Sequence, residues 1–197
     1  MGRLFALLLL ALPVFRAFGQ KDPATWHVLI EPTFMHPEVS FPIPDATRTV
    51  LVPGYMGDDG DPVYFTKKDW DALGLRWDAF RARAAGNATE KKVSGQLVRD
   101  HNKVVQYAVF GSRSPLTATM VLDPGFLAKF QTIFGSTILV AIPDRYTVYV
   151  FPRLASDYKD YSGLILGEYH DSTYPVSTEV FEISSAGLRA IGLFDDD

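Results

Sequence analysis

Residues 137–151, TILVAIPDRYTVYVF, constrain the fold more than any other part of the chain, because two strand-forming runs flank a short bend. The first run, residues 138–142, is apolar at every position. Successive side chains of a strand point to opposite faces of a sheet, so both faces of this strand are apolar and we expect both to be covered. The sequence therefore predicts a buried strand that pairs with the strand after the bend.

The bend itself, Pro143 to Tyr146, has two interpretations. Proline and aspartate are common turn residues, so the bend is expected to connect two antiparallel strands, with Arg145 capping a carbonyl or forming a surface ion pair. Alternatively, a turn that leaves a buried strand holds Asp144 and Arg145 together at a sheet edge, where they would bind an anionic ligand in a bidentate manner. Both interpretations stay open, and Asp144 and Arg145 are candidate ligand-binding residues.

Helix signals occur at four places in the chain. Thr66 is expected to cap a helix that breaks at Gly74, and a second helix is expected over residues 75–85. A third helix is expected to start at Asp123 and to end at Gly135. A fourth signal is a stripe at helical spacing, formed by Leu154, Tyr158, Tyr161, Ile165 and Tyr169.

Strand signals are interspersed with these helices. They occur in TWHVLI, TRTVLVPGY, DGDPVYFT, VVQYAVF, LTATMVL and EVFEISSAGLRAI. VVQYAVF and LTATMVL are expected to pair around the turn GSRSP. The whole pattern predicts an α+β fold, with a mainly antiparallel sheet and several short helices packed on it.

The first 19 residues have the pattern of a secretory signal peptide. An apolar run over residues 4–15 follows Arg3, and small residues stand at Ala17 and Gly19. The run is shorter than the roughly 20 residues that span a bilayer, so we expect cleavage after Gly19 and no stable membrane insertion afterwards. The expected location is the periplasm or the exterior of a bacterial cell, with an uncleaved membrane anchor as the alternative.

The remainder of the chain is expected to form one domain. Residues 20–45 are rich in proline, which lacks an amide hydrogen, and are predicted to be an N-terminal extension. Residues 46–197 are then long enough for a single domain of ordinary size.

Composition excludes several function classes. The chain contains no cysteine, which excludes cysteine nucleophiles and zinc ribbons. Its formal net charge is −4 without a basic cluster, which argues against nucleic acid as a partner. An unidentified protein or small molecule is therefore the expected partner.

No motif for a metal, a cofactor or an activated nucleophile stands out. No two of the four histidines are three or four residues apart, and the acidic turn around Asp59 lacks the terminal glutamate of an EF-hand. The chain has no G-x-S-x-G elbow, and the S-x-x-K match at residues 156–159 lacks its companion motifs. We therefore expect neither a metal nor a cofactor.

A wider pattern accompanies the AIPDR string at residues 141–145. It consists of an acidic segment at residues 69–75, Ala84 and Asn87 at a helix end, and the glycine-containing FGSTILVAIPDR. In this order the residues resemble the YtpQ-like family of bacterial domains of unknown function, over about residues 50–151. The resemblance implies a domain extent rather than an activity, because that family has no assigned chemistry. The chain differs from it in its export signal and in Tyr146, where the family has an acidic residue.

These features lead to two functional hypotheses. The first is an exported bacterial domain that acts as a binding or structural module without catalysis, because no group of residues could activate a nucleophile or hold a metal. The alternative is a small hydrolase or transferase with a ligand cleft at Asp144 and Arg145, with Asn87 or residues 168–171 contributing from a second side. Asn87 also follows Gly86, so it is a candidate for the left-handed conformation of a helix C-cap.

Overall fold

The computed structural model describes residues 21–87, 93–153 and 158–195. Within these residues the chain forms ten strands: β1 (Trp26–Pro32), β2 (Phe41–Pro42), β3 (Thr49–Met56), β4 (Pro62–Tyr64), β5 (Ser94–Arg99), β6 (Val105–Gly111), β7 (Ile138–Ala141), β8 (Thr147–Pro152), β9 (Glu179–Ser184) and β10 (Gly187–Leu193). It also forms four α-helices: α1 (Lys67–Leu73), α2 (Trp77–Ala85), α3 (Phe126–Phe134) and α4 (Ser162–Asp171). Short 3₁₀ helices cover Pro23–Thr25, Thr33–Met35, Ala118–Leu122 and Tyr158–Tyr161.

The strands form two antiparallel sheets, which confirms the predicted α+β fold class. In the small sheet, β3 lies between β1 on one side and β2 and β4 on the other. In the large sheet the order is β10-β9-β7-β8-β6-β5. The predicted pair of strands around the AIPDR bend is present, with Val140 of β7 opposite Val150 of β8.

Strand β7 is buried on both faces, as its sequence predicts. All four of its residues are fully buried between β8 and β9. Ile138 and Val140 contribute to the core cluster that contains Phe126 and Phe130 of α3. Leu139, on the opposite face, belongs to a second cluster with residues of α4. Because each fully buried aliphatic side chain stabilises the fold by about 1.5–3 kcal/mol, this strand is a main source of stability.

Part of the segment predicted to be an extension belongs to the small sheet. Strand β1 pairs with β3 over its whole length, and Trp26, Leu29 and Ile30 of β1 are buried. The proline-rich composition is compatible with this because Pro32, the last residue of β1, lies at the end of the strand ladder.

An aromatic cluster joins the small sheet to α1 and α2. Trp26 stacks on Phe80 at 5.1 Å between ring centroids, and Phe41 stacks on Trp77 at 4.0 Å. Gly74 ends α1 in the left-handed conformation at φ 60°, which confirms the predicted break between two short helices. These two stacked pairs attach α2 to β1 and β2 of the small sheet.

Two sequence predictions in the middle of the chain are wrong. LTATMVL forms the 3₁₀ helix Ala118–Leu122 instead of a strand, so it does not pair with VVQYAVF. Hydroxyl groups turn the backbone locally here, because Thr117 and Thr119 donate hydrogen bonds to the carbonyls of Ser114 and Leu116. The partners of β6 are β8 and the edge strand β5, whose exposed and mostly polar residues gave no strand signal.

The remaining helix predictions hold where they can be compared. Helix α3 begins at Phe126, three residues after its predicted start at Asp123, and ends at Gly135 as predicted, at φ 92°. The tyrosine stripe falls on Tyr158–Tyr161 and α4. Leu154 of that stripe, Ser156 of the S-x-x-K match and the predicted signal peptide lie outside the described residues. Among the residues that are described, we find no helix with both the length and the hydropathy that a membrane span requires.

Candidate functional site

The turn between β7 and β8 connects the large sheet to the small sheet. Arg145 Nη2 donates hydrogen bonds to Glu31 Oε2 at 2.9 Å and to Tyr64 Oη at 2.8 Å. Glu31 lies on β1 and Tyr64 on β4, so one guanidinium contacts two strands of the other sheet. The side chains of Glu31 and Arg145 are 2% and 13% exposed, which makes this a buried ion pair.

The charges of this group are compensated within the protein. Burial raises the pKa of the Glu31 carboxyl, and the hydrogen bond and charge of Arg145 oppose that shift. Burial by itself would lower the pKa of Arg145, but Glu31 and Tyr64 raise it above its ordinary value. Burial, followed by the charge of Glu31, raises the pKa of Tyr64. The guanidinium therefore stays charged, and its Nη2 group is already hydrogen-bonded to a buried carboxylate and a tyrosine hydroxyl.

Asp144 stabilises the turn itself. It is buried, and its Oδ1 accepts a hydrogen bond from Tyr146 N at 2.8 Å. Its backbone forms an isolated antiparallel bridge with Pro175, and Arg145 N donates to Tyr174 O at 3.3 Å. Asp144 and Arg145 are neighbours in the sequence, but within the described residues each side chain contacts its own partners rather than the other.

The exposed face of this turn is aromatic. The Tyr174 ring lies 5.3 Å from the Arg145 guanidinium carbon and 6.0 Å from the Tyr146 ring in an edge arrangement. Burial, then the nearby Tyr174, raises the pKa of Tyr146.

Asn87, the third predicted candidate, lies elsewhere. Its Nδ2 donates to Pro23 O at 2.6 Å and to Trp26 O at 3.0 Å, so it fixes the start of β1. Arg145 contacts Glu31, five residues further along the same strand, which corresponds to roughly 17 Å at about 3.3 Å per residue. The C-cap of α2 is Gly86 at φ −65°, and Asn87 is not among the described non-glycine residues with a positive φ, so the left-handed conformation predicted for it is not found.

The segment at residues 168–171 contributes a second polar group next to the turn. Glu168 of α4 accepts hydrogen bonds from Thr147 Oγ1 at 2.8 Å and from the Tyr149 hydroxyl. Burial, then the hydrogen bond to Glu168, raises the pKa of Tyr149. These contacts attach α4 to β8, whereas His170 and Asp171 are exposed.

A cleft of about 240 Å³ lies between α2, β1 and residues 119–124, and it was not predicted from the sequence. One wall is a stripe of α2 at positions i, i+3, i+4 and i+7, formed by Asp78, Arg81, Ala82 and Ala85. The floor is His27 and Val28 of β1, and the opposite wall is formed by Thr119, Leu122, Asp123 and Pro124. The small side chains of Ala82 and Ala85 leave the space open. This alternation of charged and small residues on one helix face is the sequence signal that could have indicated a cleft.

The charged side chains of the cleft are not paired with each other, unlike Arg145 and Glu31 at the turn. Asp78, Arg81 and Asp123 form no ion pair with one another or with any other described residue. Asp123 Oδ1 accepts a hydrogen bond from Gly125 N at 2.6 Å, and the Thr119 hydroxyl donates to Leu116 O at 2.6 Å. The Arg81 guanidinium lies 5.9 Å from the Trp77 ring, close to the limit for a cation–π contact. The cleft thus combines a guanidinium and two carboxylates that are available to a ligand.

Over residues 21–87, 93–153 and 158–195 there is no group of three or more His, Cys, Asp or Glu side chains that could hold a metal ion. The acidic turn near Asp59 is exposed, and Asp59 Oδ1 accepts a hydrogen bond from Asp61 N at 3.1 Å. Comparison of the chain with family models, with curated proteins and with solved structures found no match.

Proposed function

We propose that this chain is an exported bacterial binding module without catalytic activity, and that it binds a small molecule in the cleft between α2, β1 and residues 119–124. The observation that carries this proposal is that the charged side chains of the cleft are not used in ion pairs within the described residues. Arg81 and the two carboxylates there have no ion-pair partner in the described protein, whereas the Arg145 guanidinium is engaged by Glu31 and Tyr64.

The alternative, a hydrolase or transferase at the Asp144–Arg145 turn, has less support. Asp144 is buried and accepts a backbone hydrogen bond, so it is not positioned to abstract a proton from a bound molecule. Asn87 contacts the opposite end of β1, so it does not supply the second side that this hypothesis requires. The resemblance to YtpQ-like domains adds no reaction, and the export part of the proposal rests on the N-terminal sequence alone.

A thermal-shift screen of the purified protein tests the proposal. The screen would contain metals, nucleotides, organic acids, amino acids and envelope glycans. A ligand at 100 times its Kd stabilises the folded state by about 2.7 kcal/mol, which for a chain of this size raises the Tm by roughly 5–10 °C. We expect at least one small organic compound to produce such a shift.

Two alanine variants on the same helix locate the binding site. Ala82→Leu places a larger side chain in the cleft, and its exposed position and the good helix propensity of leucine should leave the fold intact. Ala79→Leu is the matched control, because Ala79 is exposed on α2 and does not line the cleft. We expect the shift to be lost in Ala82→Leu and retained in Ala79→Leu. Equal shifts in both variants, or a screen without any shift, would contradict the proposal.

A further inference from the structure

We infer that the ligand of the cleft is an amino acid with a cationic side chain, such as lysine, ornithine or arginine. This inference rests on the proposed binding function and adds the chemical class of the ligand. It is drawn from the size of the cleft, the charges on its two walls and the apolar surface between them.

The size of the cleft restricts the ligand to a small metabolite. Its volume of about 240 Å³ is below the roughly 300–1,000 Å³ that is typical of pockets for drug-sized ligands. A nucleotide or an oligosaccharide would therefore extend far beyond it, whereas a single amino acid would be held by both walls.

The charges of the cleft complement a basic amino acid group by group. One guanidinium (Arg81) and two carboxylates (Asp78 and Asp123) give the lining a net formal charge of −1 with neutral histidine. A basic amino acid carries one carboxylate and two cationic nitrogens, for a net charge of +1. The α-carboxylate would pair with Arg81, and the two cations would pair with Asp78 and Asp123, so no charge of the ligand or the lining is left without a partner.

The arrangement of these charges favours a ligand that spans the cleft. Asp78 and Arg81 lie on α2, and Asp123 lies on the opposite wall. The Thr119 hydroxyl already donates its hydrogen to Leu116 O, so towards a ligand it acts only as an acceptor, which suits an ammonium group and not a carboxylate. Val28, Leu122 and Ala84 supply the apolar surface against which a methylene chain would pack.

A set of related compounds tests each pairing by calorimetry with the intact protein. Lysine has all three charged groups, norleucine lacks the side-chain amine, and cadaverine lacks the carboxylate. A hydrogen bond to a charged group contributes enough that its loss weakens binding about tenfold or more. We therefore expect lysine, ornithine or arginine to bind at least about tenfold more tightly than norleucine and cadaverine.

Charge-neutral variants assign the groups. Arg81→Gln should weaken lysine binding about tenfold without weakening cadaverine binding, because cadaverine has no carboxylate for Arg81 to attract. Asp123→Asn should weaken the binding of both compounds. The asparagine side chain keeps an oxygen that accepts the hydrogen bond from Gly125 N, so the local backbone should be unchanged. Arg76→Gln is the matched control, because Arg76 is an exposed arginine next to α2 that does not line the cleft.

The outcomes separate this inference from the proposed function. If norleucine or cadaverine binds as tightly as lysine, the inference that the ligand is a cationic amino acid is wrong. If another compound binds and loses its binding in Ala82→Leu while no basic amino acid binds, the binding function stands and the ligand class is wrong. If no compound binds in a manner that depends on Ala82, both proposals are wrong.

Discussion

Arg145 and Glu31 form a buried ion pair between the two sheets, with 2.9 Å between Nη2 and Oε2, although 114 residues separate them in the sequence. The AIPDR bend is therefore a hairpin connection whose arginine attaches the large sheet to β1. A turn at the end of a fully buried strand is well suited to this role, because its backbone position is fixed by packing on both faces.

Arg145→Ala is expected to destabilise the protein by about 3–5 kcal/mol, because it leaves the Glu31 carboxylate buried without its partner. Chemical denaturation measures this change. Replacing both residues by apolar ones of similar size, Glu31→Leu with Arg145→Met, should recover most of the loss. Lys67→Ala, which breaks an exposed ion pair with Asp71, is the control and should cost only about 0–1 kcal/mol. An Arg145→Ala variant as stable as the control would show that the pair has no structural role.

Local patterns were sufficient to predict much of the fold. Runs of strand-forming residues predicted β7, β8, β9 and β10, and the capping residue Thr66 with Gly74 predicted two short helices. Each of these signals lies within a few neighbouring residues, where strand periodicity and capping chemistry act.

The features that the sequence did not predict depend on distant contacts. The pairing of β1 with β3 brings part of the proline-rich segment into the small sheet, and the Glu31 partner of Arg145 comes with it. The cleft exists only because α2 faces residues 119–124, and the first part of that segment, up to residue 122, was itself predicted to belong to a strand. Predicting these contacts requires knowing how elements that are far apart in the sequence pack against each other.

Thr66→Ala is expected to lower stability by about 1 kcal/mol. Thr66 Oγ1 accepts a hydrogen bond from Asp69 N at 3.1 Å and donates one to Asp69 Oδ2 at 2.9 Å, so it caps α1. The denaturation midpoint measures the loss, and Thr66→Ser should retain most of the stability because it keeps the hydroxyl. If serine and alanine lower stability equally, the hydroxyl does not act as a cap.

Glu182 is expected to make stability depend on pH in the acidic range. The pKa of Glu182 lies below its ordinary value of 4.5, mainly because Arg189 donates a hydrogen bond to its carboxylate. Burial opposes this shift to a smaller extent, and a hydrogen bond from Arg153 adds to it. The folded state therefore binds the proton later than the unfolded state does as the pH falls. The stabilisation is complete above about pH 4.5 and is lost as the pH falls through the folded-state pKa.

The comparison of wild type with Glu182→Gln measures this dependence. Their difference in unfolding free energy should be constant from pH 7 to about pH 5 and should shrink below pH 4.5. Arg153 and Arg189 are about half exposed, so high salt should reduce the difference at every pH. A difference that grows as the pH falls would contradict the assigned direction of the shift.

Asn87→Asp is expected to destabilise the protein more than Asn87→Ala does. The Asn87 amide donates to two carbonyl oxygens, Pro23 O and Trp26 O, at the start of β1. Alanine removes both hydrogen bonds, at a cost of about 1–3 kcal/mol. Aspartate has a nearly identical shape but no N–H group, so it places a negative charge against two acceptors and adds repulsion to the loss. Chemical denaturation at pH 7 should therefore rank the proteins, from most to least stable, as wild type, alanine variant and aspartate variant.

A lower pH gives a second test of the same contact. Because lowering the pH protonates the carboxyl and restores one donor, the aspartate variant alone should recover part of its stability relative to wild type near pH 4. If aspartate is tolerated as well as alanine at pH 7, the side chain does not act as a donor to β1, and its position next to α2 would need another explanation.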